Sequence, residues 1–88
     1  MTERTLTIVN PLGLHARPAA QLVRLASSFA SHVELERDGL AVNAKSIMGV
    51  MMLAAEHGAA VRVRADGADE AAAVDAIAAL VARGFDEL

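Results

Sequence analysis

Two side chains in this 88-residue chain have the types and spacing to do chemistry together, in the stretch Gly13-Leu14-His15-Ala16-Arg17-Pro18-Ala19-Ala20. A flexible glycine precedes a lone imidazole, a guanidinium follows two residues later, and a proline opens a long amphipathic run. Proline is tolerated in the first helical turn, where the N–H it lacks would have no intrahelical partner. His15 is therefore expected at or just before a helix N-terminus, beside the free backbone N–H groups of Ala16 and Arg17 and the positive end of the helix dipole. An anion such as a phosphoryl group is favoured there. Imidazole is a nucleophile that is largely neutral near pH 7. With a guanidinium alongside, it suits a site that receives phosphate and hands it on. A histidine at a helix start also serves as an ordinary cap or surface residue, so the motif decides, not the residue type.

The elements that must position these residues follow from hydrophobic periodicity. Residues 5–9 alternate as a half-buried strand, with Leu6 and Ile8 inward, and Asn10-Pro11-Leu12-Gly13 breaks it into the loop that delivers His15. Over residues 16–30 the period turns helical. Ala19, Leu22, Val23, Ala26 and Phe29 form the apolar stripe, while Arg17, Gln21, Arg24 and Ser28 line another face. Strands over 33–36 and 40–42 flank an Asp38-Gly39 hairpin signal.

A second helix is expected over 46–55, with Ser46 as its N-cap, Gly49 weakening it and His57-Gly58 as its exit. Ile47, Met48, Val50, Met51, Met52 and Leu53 cover nearly every face of it. So small a domain cannot bury them all, so an apolar patch of Ile47, Met48 and Met51 is expected at the surface as a docking site. A strand over 61–65 carries its arginines outward. Asp69 is expected to cap a last helix, with Glu70 in its first turn, a stripe of Val74, Ile77, Leu80 and Val81, and Gly84 at its end. His32 and His57 have no surrounding motif and read as surface residues.

Eighty-eight residues support one modest core, so a single domain over 1–88 is expected. A net charge of −3 and an aromatic content of 2% argue against a nucleic-acid surface. The absence of cysteine excludes disulfides and thiolate metal sites. No apolar run is long enough to span a bilayer and the first residues lack a signal region, which makes a cytoplasmic protein the expectation.

The order strand, helix, strand, strand, helix, strand, helix gives an α+β domain with helices on one face of a mainly antiparallel sheet. A ferredoxin-like ligand-binding or metal-chaperone domain has the same pattern. The Gly-Leu-His-Ala-Arg-Pro-Ala run, however, closely resembles the active-site signature of the histidine-containing phosphocarrier (HPr) family of the sugar phosphotransferase system. Asn43-Ala44-Lys45-Ser46-Ile47-Met48-Gly49-Val50 resembles that family's regulatory-serine segment.

The resemblance implies an open-faced β-sandwich, four antiparallel strands under three helices. It implies that His15 takes a phosphoryl group from enzyme I through Nδ1, as the family does, and passes it to a histidine of an enzyme IIA domain. Arg17 would then bind the phosphoryl oxygens. Such a domain needs no metal or cofactor and is a monomeric carrier, a substrate for other proteins rather than a self-contained enzyme. Ala20, Arg24 and the patch of Ile47, Met48 and Met51 are the expected partner surface. Ser46 would be modified by a dedicated ATP-dependent kinase and its phosphatase. A rival from another class is a regulatory module that signals through Ser46 and transfers nothing. The presence of both His15 and Arg17 counts against it.

Overall fold

The chain runs β1 (Thr2–Thr7), α1 (Ala16–Ser27), β2 (His32–Arg37), β3 (Leu40–Asn43), α2 (Ile47–Met52), β4 (Ala60–Asp66) and α3 (Glu70–Ala82), then a 3-10 turn at Gly84–Asp86. This is a computed structural model and it describes residues 1–88. The strands lie in the order β1-β4-β2-β3, each pair antiparallel. The expected βαββαβα architecture, a four-stranded antiparallel sheet under three helices, is the one that forms.

Strand alternation decides which face meets the helices. Val33, Leu35, Val42, Val61, Val63 and Ala65 point inward and are buried. Their neighbours Glu34, Glu36, Arg62 and Arg64 point to the uncovered face, as expected for the arginines. Register sets Glu34 and Glu3 across from Arg64, and Glu36 across from Arg62. Arg64 Nε lies 2.9 Å from Glu3 and Arg62 3.2 Å from Glu36. Partly exposed pairs of this kind add little stability, but a slip of one residue would bury the charges, so they help specify register. From the helical layer, Leu22 and Ala26 of α1 and Val74 and Ile77 of α3 close the same core. Asp38 and Gly39 both take positive φ, as the hairpin signal requires.

Several element ends differ from the periodic reading, the strand by its pairing and the two helices because a side chain claims a backbone group. β1 begins at Thr2 rather than at residue 5, since pairing to β4 extends to Thr2 opposite Ala65. α1 stops at Ser27 instead of 30. The Ser28 hydroxyl donates to the Leu25 carbonyl and the Ser28 and Phe29 amides bond three residues back, tightening the last turn. α2 stops at Met52, before the expected 55. The Arg37 guanidinium takes the carbonyls of Leu53 (3.2 Å) and Ala54 (2.8 Å), and Ala54 turns left-handed at φ 47°. His57-Gly58 is thus the turn into β4, where the Gly58 amide donates to Ile8.

Asp69 occupies the N-cap position of α3, but its side chain makes no capping bond. Its carboxylate instead accepts from the amides of Ala30 (2.8 Å) and Ser31 (2.9 Å) and from the Ser31 hydroxyl. Ser31 is buried and has no other acceptor there, so it outcompetes the helix end. Gly49 has a packing reason: a Cβ would meet the Asn43 carbonyl at 3.2 Å, where α2 lies against β3.

Candidate functional site

His15 is the N-cap residue of α1, with extended backbone (φ −78°, ψ −172°) and no side-chain capping bond. Its ring is therefore free of the usual cap duty. The helical ladder begins with the Ala19 amide donating to the His15 carbonyl at 3.0 Å. Ala16 and Arg17 lie in the first turn, so their amides have no intrahelical acceptors, and Pro18 next to them has no N–H to satisfy. Both residues are exposed, and the His15 side chain is 36% exposed. Two free amides at the positive end of a twelve-residue helix therefore flank the imidazole.

The loop that presents the ring is fixed from two sides. The Leu14 amide donates to the Ala55 carbonyl at 2.8 Å, so the loop hangs from the segment leaving α2. Gly13, at φ 69°, has no room for a side chain: a Cβ would collide with that same Ala55 carbonyl. Asn10, fully buried, donates through Nδ2 to the Gly13 carbonyl at 2.7 Å.

Asn10 Nδ2 also donates to Glu87 Oε1 at 2.7 Å. Glu87 in turn faces the imidazole, with His15 Nε2 at 3.0 Å from Oε1 and 3.3 Å from Oε2. The Asn10 hydrogen bond, then the His15 contact and the nearby Arg17 charge, hold the Glu87 carboxyl below the usual carboxylate range against a desolvation cost. Residues 84–86 make this contact possible. Gly84, Phe85 and Asp86 all take positive φ, near 65°, 56° and 59°. For non-glycine residues that conformation costs roughly 1–2 kcal/mol each. The buried Phe85 ring offsets it by anchoring the turn in the core.

The structure brings His15, Arg17, Ala16 and Glu87 together at one end of α1. Arg17 and Arg24 are exposed and take part in no ion pair. Ala20 is half-buried on the same helix, and Arg24 lines a groove towards α3 with Gln21, Leu80 and Arg83. Ser46 caps α2, its Oγ accepting from the Gly49 amide at 3.2 Å. Ile47, Met48 and Met51 are exposed, as is Met52, while Val50 and Leu53 turn inward. The Lys45 ammonium bonds the Phe29 carbonyl at 2.8 Å, tying the start of α2 to the end of α1.

Sequence reasoning missed Asn10 and Glu87, whose partners are 77 positions apart in the chain. The available signal was Phe85, a large apolar residue just past a helix-stopping glycine, which could be satisfied only by folding back.

Fold and site define a class: a small α+β domain that presents one imidazole, with free amides and an unpaired guanidinium, from a helix start. A family model described as the PTS HPr component phosphorylation site matches residues 2–83. The phosphocarrier protein HPr of Cupriavidus necator is 54% identical over 87 residues, which cover 99% of this chain and 98% of that one. The crystal structure of HPr-C-His from Thermoanaerobacter tengcongensis superposes with a TM-score of 0.97 at 46% identity, covering 100% of this chain and 99% of that one. A phosphocarrier protein HPr from Bacillus anthracis gives 0.88 at 40% identity, covering 91% and 95%. The chain belongs to the HPr family, the phosphocarriers of the phosphotransferase system.

Proposed function

We propose that His15 is the residue on which this phosphocarrier holds its phosphoryl group, receiving it from enzyme I and delivering it to enzyme IIA domains. The observation that carries this reading is the imidazole at the α1 N-cap with no capping bond of its own, beside the unpaired amides of Ala16 and Arg17. Phosphoryl transfer is largely positioning and electrostatic stabilisation. The two amides and the Arg17 guanidinium supply donors for oxygens whose charge changes during transfer. Residues 1–88 act as one domain, monomeric and cytoplasmic.

The exposed apolar side chains of α2, with Ala20 and Arg24, form the surface that both partners use. A serine kinase and phosphatase regulate the carrier at Ser46. Phosphate on its Oγ retains oxygens that can cap the Gly49 amide, so the fold survives while about −1.5 to −2 charge enters the apolar patch. Incubation with enzyme I and phosphoenolpyruvate, followed by mass analysis at neutral and acid pH, tests the acceptor. Acid-labile label is expected on His15 and lost in a folded His15→Ala variant. Label that persists in that variant on His32 or His57 overturns the assignment.

A further inference from the structure

The Glu87 carboxylate meets His15 through one ring nitrogen only, Nε2, at 3.0 and 3.3 Å. An ionised carboxylate can accept hydrogen bonds but not donate them, so the nitrogen facing it must carry the proton. A neutral imidazole has a single N–H. With that proton on Nε2, the lone pair is left on Nδ1. We infer that Glu87 is a positioning residue for phosphoryl transfer, which holds His15 in the Nε2–H tautomer and places a negative charge against the ring when the ring becomes positive. This rests on the reading of His15 as acceptor and names the side chain that prepares it.

The transfer then balances with no proton in motion. The Nδ1 lone pair forms the new N–P bond as the N–P bond of the donor phosphohistidine breaks, and that electron pair returns to the donor ring. His15 becomes a phosphoimidazolium that keeps its Nε2–H, the positive charge lying against Glu87. On delivery the N–P pair returns to Nδ1 and regenerates the neutral Nε2–H ring. A ring held as Nδ1–H would have no lone pair on that nitrogen and would need a proton shift before each cycle.

Glu87 is itself held for the purpose. Asn10 Nδ2 bonds both Glu87 Oε1 and the Gly13 carbonyl, so one buried amide joins the carboxylate to the loop that carries the imidazole. The left-handed residues Phe85 and Asp86 bring Glu87 into reach. Strained backbone of this kind persists only where its surroundings fix it, and it gathers at functional sites.

The test uses the full chain labelled with 15N and long-range 15N–1H spectra of the His15 ring, recorded above the imidazole titration range. The wild-type ring is expected to show a protonated Nε2 and an unprotonated Nδ1. Glu87→Ala should shift the ring towards a mixture of tautomers and slow phosphorylation by phospho-enzyme I on the order of tenfold, the low end for losing an imidazole-orienting group. Glu87→Gln keeps an acceptor without the charge, and should retain the tautomer while transferring at an intermediate rate. Native-like Phe85 shifts in both variants would show that the turn is still docked. A wild-type ring protonated on Nδ1, or a Glu87→Ala protein with tautomer and rate unchanged, overturns the inference. A chain that is never phosphorylated at His15 overturns the acceptor reading, while the ring spectra still report separately whether Glu87 orients the imidazole.

Discussion

Two opposite charges attend His15, and they differ in how firmly they are held. Arg17 is exposed with no ion-pair partner, whereas Glu87 is bonded by Asn10 and by the ring itself. Arg17→Ala should therefore slow phosphotransfer and leave the melting temperature close to wild type, since exposed substitutions usually fall within about 0.5 kcal/mol. A large stability loss with unchanged transfer would make Arg17 structural. Glu87 titrates below its ordinary value of 4.5, first because of the Asn10 hydrogen bond. A depressed carboxylate contributes fully above that ordinary value, and its contribution is lost as pH falls through the lower, folded one. The Asn10–Glu87–His15 contact should thus persist at pH 4.5 and release only in stronger acid. A carboxyl 13C titration of Glu87 with its midpoint at or above 4.5 would contradict this.

Among the elements, α2 leaves four of its five large apolar side chains exposed. Met48 is 76% exposed and Met52 64%, and only Val50 of the helix is buried. Met48→Glu should weaken binding to both enzyme I and enzyme IIA, with the melting curve unchanged. Ser46→Asp should act in the same direction. Calorimetric titration with each partner measures both effects, and unchanged affinities would leave Ser46 a cap and the patch without a docking role. The exposed patch was legible because six residues with no charge among them cannot all face inward in a domain this small. The end of α2 was not legible. It depends on Arg37, sixteen residues before Leu53, whose guanidinium removes two carbonyls from the helix.

Over the whole molecule, acid should also loosen one connection between the layers. Asp69 is held below its ordinary value of 3.8, chiefly by the Ser31 hydroxyl and next by the Ala30 amide. Its contribution is complete above 3.8 and declines as pH drops through the folded-state value, so the urea midpoint should fall across that window. Asp69→Asn should flatten the acid limb; an unchanged limb would show that the carboxylate is not coupled to folding. The same residue marks the boundary of sequence reading. Its position at the α3 N-terminus followed from local pattern, but the destination of its carboxylate depended on the buried Ser31, which only the tertiary fold sets beside it. The architecture and the His15–Arg17 pair were readable because periodicity and a contiguous motif are local. Asn10 and Glu87 became neighbours only through the closed fold.

The bond from the Leu14 amide to the Ala55 carbonyl has a consequence for divergence. The segment that leaves α2 is also the hook from which the His15 loop hangs, and Gly13 leaves no slack between them. On the roles proposed for α2 and His15, a lineage that reshapes α2 to suit a new partner would move that hook and the His15 loop in the same step. Recognition and rate would then not be separately heritable in this domain. Compensating substitutions should be sought around Gly13, Arg37 and Ala55, where the two trades meet in a single backbone hydrogen bond.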